Sequence, residues 1–347
     1  MTCIRTALLA SLALCFAALP ARAEPDYTAI NTAIAQKVIV PAYALLAETT
    51  AAQARAWDTA CASADSGQLA TLQQAYVEVS DAWATVFHWN FGPVTLLLRR
   101  DRFYHWPERR NTIAKGLSQL LAKPDAEKLK LVNFAHTSVA VQGLPALERL
   151  VFERTDTLKN AWNCQVGKSI AANLSHMAED AAKEWAGEVV AVIARGEEHP
   201  MYFDGPKATL NKLFTELLTG YAIIKDQKIL PVLGANVKKA KPNLIEARRS
   251  NRFAENLKLN LETLFAADAI MASYLPTNER NALADKRATA MGFLKALPPL
   301  KHAVYVESER AQYLAFTAVL SALRKDMVAA YTTHLGLTIG FNSLDGD

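Results

Sequence analysis

The chain has 347 residues, 51% of them hydrophobic and 21% charged, with a formal charge of +4. That is an ordinary soluble composition with ample material for a large core. Arg5 and Arg22 fall in residues 1–23, which hold no acid, so residues 24–347 carry only +2, too little to argue for nucleic acid.

Residues 1–23 read as a secretory signal peptide, with basic Arg5, an apolar run Ala7–Leu19 and an A-x-A cleavage site at Ala21-Arg22-Ala23. The run is too short for a comfortable membrane span. Leu12-Ala13-Leu14-Cys15 resembles a lipoprotein signal, but lipidation prefers a small residue where Leu14 stands, so cleavage after Ala23 is the better reading. No later stretch reads as a transmembrane helix, and the expected address is the bacterial periplasm. Cleavage removes Cys3 and Cys15. Cys61 and Cys164 remain, and in an oxidising compartment they are expected to pair, a staple worth ~2–4 kcal/mol. The alternative is two buried thiols.

Strand signals are nearly absent, and Ala, Leu, Glu, Lys and Gln dominate. The chain is predicted to be all-α, with helices near 27–62, 68–90, 109–122, 126–152, 164–195, 208–227, 243–273, 280–295 and 303–332. On 68–90, Glu78, Asp81, Thr85 and His88 fall at i, i+3, i+7 and i+10 on an otherwise apolar helix. A stripe that narrow suggests burial against other polar groups, and two acids with an imidazole suit a cation or a proton network. The plainer reading is a thin solvent-facing stripe. Phe91-Gly92-Pro93 ends the helix, and RRDRFYHWPERR (99–110) follows, the densest mix of charge and aromatics in the chain.

The segment His136–Phe152 is apolar at helical spacing but interrupted by Gly143 and Pro145. Glu148 follows the proline, flanked by leucines. A proline inside a helix costs ~3 kcal/mol, so the break marks either a site or a helix start. A carboxylate among leucines is an exposed salt-bridge partner or a buried group in need of partners. After the long helix 164–195, Gly196–Pro206 breaks helical character, and the domain boundary is placed there, giving bundles at 24–197 and 198–347. SIAANL (169–174) and RFAENL (252–257) each open a long helix after a break, which suggests a degenerate internal duplication. The last helix is expected to end near Thr333, with an extended, apolar-packed tail beyond it.

Q-G-L-P-A-L-E-R-L-V-F (142–152) resembles the signature helix of the imelysin-like family of bacterial periplasmic and lipid-anchored proteins. That family is better known for G-x-H-x-x-E. Gly143 and Glu148 match, and Pro145 stands where the histidine would be, as in a G-L-P-A-L-E branch of the family. Arg102, Trp106, Pro107, Glu108 and Arg110 match a second family pattern, and Lys241-Pro242, Glu246 and Arg249-Ser250 a third. There the family's tryptophan is Arg248 and its glycine Asn251. The ending G-F-N-S-x-D-G-D is also similar.

The resemblance implies a periplasmic binding or accessory protein of iron acquisition, with a polar site between two helical bundles. The expected metal-binding groups are Glu148, His88, Asp81 and Glu78, holding a divalent or ferric ion, iron favoured. The expected ligand-binding groups are Glu148, Arg102, Trp106, Arg249, Ser250 and Gly143. Arg102 is a natural bidentate partner for Glu148. The ligand is then a metal ion or a small anion, with an envelope transport partner. The alternatives are a metallopeptidase, for which Pro145 has removed the motif histidine, and a non-catalytic structural or interaction protein. There is no G-x-S-x-G, H-E-x-x-H, P-loop or C-x-x-C-H.

Overall fold

The computed structural model describes residues 24–63, 67–154 and 156–340. The signal-peptide reading, Cys15 and the end of the tail lie outside them. Among the described residues there is helix but no strand, as predicted, and one isolated bridge, His199 to Phe203.

In chain order the helices are α1 (Tyr27–Ser63), α2 (Gln68–Val86), α3 (Arg99–Phe103), α4 (Thr112–Ala122), α5 (Ala126–Leu129), α6 (Leu131–Phe134) and α7 (Leu144–Glu148). Next come α8 (Ala161–Glu184, continued by a π-helical turn into Val190–Arg195) and α9 (Pro206–Ala222, continued likewise into Leu230–Leu233). The last are α10 (Phe253–Ala272), α11 (Thr277–Ala296), α12 (Leu300–Ala303) and α13 (Glu307–Leu335).

The termini follow local chemistry. Asp26 accepts from the Ala29 amide to start α1, and Asn160 accepts from the Trp162 and Asn163 amides to start α8. Gly196 closes α8 in the left-handed region at φ 67°, as a glycine does without steric cost.

Helices α1 and α8 form the central pair. Gly167 of α8 makes room for the buried Trp57 of α1, since a Cβ there would lie 2.2 Å from the Trp57 ring. Cys61 and Cys164 are bonded across the same pair with Cα atoms 5.7 Å apart, so the expected bridge forms. Helix α1 also corrects the reading that no later stretch has the length and apolarity of a membrane span. It is 37 residues long, and one 18-residue window within it reaches a mean hydropathy of 1.3, as the core helix of a globular protein also can. Here one side of it is core, with Ile30, Ile34, Tyr43, Leu46 and Trp57 almost fully buried.

One hydrophobic core runs through residues on both sides of the Gly196–Pro206 break. Helix α2 packs on α10, with the Asn260 side-chain amide donating to Ala84 O at 2.6 Å. The amino end of α1 packs on α9, with the Asn31 amide donating to Pro206 O at 2.7 Å. The fully buried Asp268 of α10 accepts from Arg287 of α11 and Tyr331 of α13, which locks those three helices together.

Candidate functional site

Gly143 is extended and caps α7, and Pro145 lies in the first helical turn. There its missing N–H is one that no helix bond would use. Pro145 therefore opens a new short helix instead of kinking a long one. The predicted helix 126–152 is corrected to a series of short elements, α5, α6, a 3-10 turn at Val139–Val141 and α7 running into a π-helical turn. Gly143 is required by packing: a Cβ would lie 2.4 Å from Phe103 O and 2.6 Å from Arg102 O, both backbone atoms.

Glu148 ends α7 and is 4% exposed. Facing it is the turn that precedes α10, in which Ala247 and Asn251 take left-handed conformations at φ 46° and 58°. The turn aims consecutive donors at one oxygen. Oε1 of Glu148 accepts from the Arg249 amide at 3.1 Å, the Ser250 amide at 3.0 Å and the Ser250 hydroxyl at 2.8 Å. The Arg249 guanidinium lies 3.6 Å from Oε2. Successive N–H groups in a turn make a built anion cradle, and here the anion is the protein's own carboxylate. Tyr76 packs against this pair through Ser250, and burial, then the Glu148 charge, hold its hydroxyl well above the usual pKa range.

A cavity of about 70 Å³ opens beside Glu148, lined by Tyr76, Tyr104, Trp106, Glu108, Arg149 and Arg249 among others. Its charges are paired. Arg149 bonds Glu108 at 3.0 Å and Glu153 at 3.2 Å, and Arg249 also bonds Glu153. Trp106 and Pro107 line a second cleft as well, of about 340 Å³, with Asn90, Arg100, Asp101 and Gln227.

A second polar group lies deeper. Lys228, 1% exposed, pairs with buried Glu246 at 2.7 Å and donates to Asn260 Oδ1 at 2.7 Å. Tyr104 donates to Glu246 at 3.1 Å. The ammonium sits 4.3 Å from the Phe87 ring centroid and 5.8 Å from that of Trp106. Burial pulls the Lys228 pKa down, and Glu246 opposes that.

The predicted metal set is not assembled. Helix α2 ends at Val86, so His88 lies beyond it and leaves the stripe. Its ring is fully buried beside Phe87 and Trp89, with neither nitrogen hydrogen-bonded. Burial first, then the charges of Arg100 and Lys228, lower its pKa to about 3, so the ring is neutral and faces cations. Asp81 is held by Arg252 through both oxygens, at 2.6 Å each. Glu78 is exposed and accepts from Gln74 at 3.1 Å. Glu148 is engaged by its own cradle. Among the described residues no group of three or more His, Cys, Asp or Glu side chains is placed to hold a metal.

The expected Arg102–Glu148 pair is also corrected. Arg102 turns to Gln142 and Asn173, and the partners of Glu148 are Arg249 and Ser250. Trp106 and Arg249 do line the cavity with Glu148; Gly143 and Ser250 shape it from behind. Lys228, Tyr104 and Asn260 were not anticipated. Lys228 carried a usable signal, since it falls four residues after Ile224 and four before Val232, on an apolar face.

A family model described as Imelysin, peptidase M75, matches residues 39–298. Among curated proteins there is no match. Solved structures share the fold, two of them as follows. One is an imelysin-like protein from Psychrobacter arcticum 273-4, with a TM-score of 0.76 at 20% identity, covering 91% of this chain and 97% of that one. The other is described as a "putative iron-regulated protein A precursor" from Parabacteroides distasonis ATCC 8503. Its TM-score is 0.68 at 13% identity, covering 88% of this chain and 96% of that one.

Proposed function

Because the chain belongs to the imelysin family, we propose that it is a non-catalytic binding protein of the bacterial periplasm. It serves iron acquisition, and it takes iron as the complex of a small organic anion, not as a bare ion. The observation that carries this is the state of Glu148. With three donors on one oxygen and a guanidinium at the other, it has little left to offer a cation. The surfaces beside it are aromatic rings and the guanidinium groups of Arg149 and Arg249, which a carboxylate-bearing ligand would engage by displacing Glu108 or Glu153 from them. The small cavity admits one arm of such a ligand. Trp106 and Pro107 line both this cavity and the larger cleft at Arg100, so a ligand that spans the two would meet that ring.

The iron element of this reading rests on the iron-regulated designation of the Parabacteroides distasonis protein. The address rests on the signal-like residues 1–23 and on the word precursor in that same designation. A peptidase reading needs the family's histidine beside its glutamate. Proline occupies that position, and among the described residues no histidine joins Glu148 in a group placed to hold a metal. An envelope transport protein is the expected recipient.

The test is a thermal-shift titration of chelator-stripped residues 24–347 with citrate, ferric citrate, Fe²⁺, Zn²⁺ and Cu²⁺. It is run on the wild type, Trp106→Ala and Glu148→Gln. A ligand at 100 times its dissociation constant adds about 2.7 kcal/mol, a rise of a few degrees. Ferric citrate or citrate should give that rise, and Trp106→Ala should lose it. A rise for a bare ion that Glu148→Gln abolishes would make Glu148 a metal ligand and sink the proposal, as would no response to either citrate form.

A further inference from the structure

The segment between α2 and α3 places Leu97 and Leu98 in consecutive left-handed conformations, φ 53° and 56° with ψ 28° in both. Each costs a residue with a Cβ about 1–2 kcal/mol. Neither is repaid by burial, because the two side chains are 74% and 61% exposed. They rim a groove of about 670 Å³ together with Leu131 and Val132 of α6, which are 40% and 69% exposed. Four aliphatic side chains held in water around one groove is an arrangement that folding alone does not favour. Neither Glu148 nor Trp106 lines this groove.

Arg102 lies along the same groove and is 9% exposed. Its Nε donates to Gln142 Oε1 at 2.7 Å, one terminal nitrogen to Asn173 Oδ1 at 3.0 Å and the other to Leu97 O at 3.4 Å. All three acceptors are neutral, and among the described residues no carboxylate pairs with Arg102. Its neighbour Arg99 differs, with Asp180 at 3.2 Å and Glu184 at 2.8 Å. A nearly buried guanidinium without a counterion is costly, and a ligand carboxylate would relieve that cost through the bidentate geometry arginine favours. Asp180 also lines the groove, and its charge disfavours a ligand with two negative groups.

We propose that this groove is a second binding site, for an amphiphilic monocarboxylate of the medium-chain fatty-acid class. The carboxylate meets Arg102, and the aliphatic chain lies on Leu97, Leu98, Leu131 and Val132. The volume is within the range of small-molecule pockets. The site is independent of the one beside Glu148.

Isothermal titration of residues 24–347 with decanoate, decanol and butyrate tests this, in the wild type, Arg102→Gln, Val132→Glu and Glu148→Gln. Decanoate should bind, decanol should bind at least about tenfold more weakly, the ratio that loss of one charged hydrogen-bond pair produces, and butyrate at least about tenfold more weakly because it lacks most of the apolar chain. Arg102→Gln and Val132→Glu should each weaken decanoate about tenfold, and Glu148→Gln should leave it unchanged. No decanoate binding to the wild type, or equal binding of decanol, overturns the proposal. So does concentration-dependent self-association that Val132→Glu abolishes without any decanoate effect. If Arg102→Gln fails to fold, the three-ligand comparison and Val132→Glu, an exposed position, still decide.

Discussion

At the scale of single residues, His88 ties the site to pH. In the unfolded chain a histidine takes up its proton near pH 6.5. In the folded chain burial, with Arg100 and Lys228 nearby, lowers that pKa to about 3. Between those values the unfolded state binds a proton that the folded state refuses, so stability falls as pH falls, by about 1.4 kcal/mol per pH unit. Above pH 6.5 His88 adds no dependence. Urea unfolding of the wild type and His88→Leu at pH 7, 6, 5 and 4 isolates this contribution, because the carboxylates titrate alike in both. The variant should lose less stability on acidification, and parallel curves would remove His88 from the account. Single residues were unequally legible. Glu148, Arg249 and Ser250 stood out because a carboxylate among leucines demands partners and the motifs supplied them. Arg102 was misassigned because sequence shows which charges could pair, and the direction of a side chain depends on backbone turns such as the left-handed Leu97 and Leu98.

Among elements, α7 and the turn before α10 act as a matched pair: one presents a carboxylate, the other three donors. Their register depends on Gly143, whose backbone meets that of Arg102 and Phe103. Gly143→Ala must push those strands of chain apart, because the atoms in the way are backbone and cannot rotate aside. Overpacking of that kind costs about 1–3 kcal/mol. Chemical denaturation should show that loss, together with a weaker thermal shift by the site ligand; a variant as stable and as responsive as wild type would refute the close-approach account. Most long helices were read well from periodicity, because their apolar positions recur over many turns, but α10 was drawn from 243 and begins only at Phe253, so the turn that cradles Glu148 lay inside a predicted helix. The stretch 126–152 was read as one helix because its apolar spacing continues across breaks set by Ser138 and Gly143. Helix α2 was drawn too long for a related reason. Phe87 and His88 continue the apolar pattern, and no glycine or proline marks the stop at Val86.

Over the whole molecule, the Cys61–Cys164 bond closes a loop of 103 residues that contains both Trp106 and Glu148. Removing it by Cys61→Ser with Cys164→Ser should cost on the order of 4–5 kcal/mol in the chain-entropy account. Equilibrium unfolding in urea checks the figure, and a loss under about 1 kcal/mol would show that α1 and α8 need no covalent tie. All-α architecture was legible in composition alone. What composition misjudged was α1, whose length and apolarity match a membrane span while its core-facing residues pack against α8 and α9. The bridge has one further consequence, in the arithmetic of oxidation. A chain of residues 24–347 holds two cysteines and so has a single possible pairing, and no isomerase is needed to find it. A chain that keeps Cys3 and Cys15 has four, with three ways to pair them all and two of those wrong. Were the first 23 residues removed before oxidation, the Cys61–Cys164 bond would be the only pairing open to the chain.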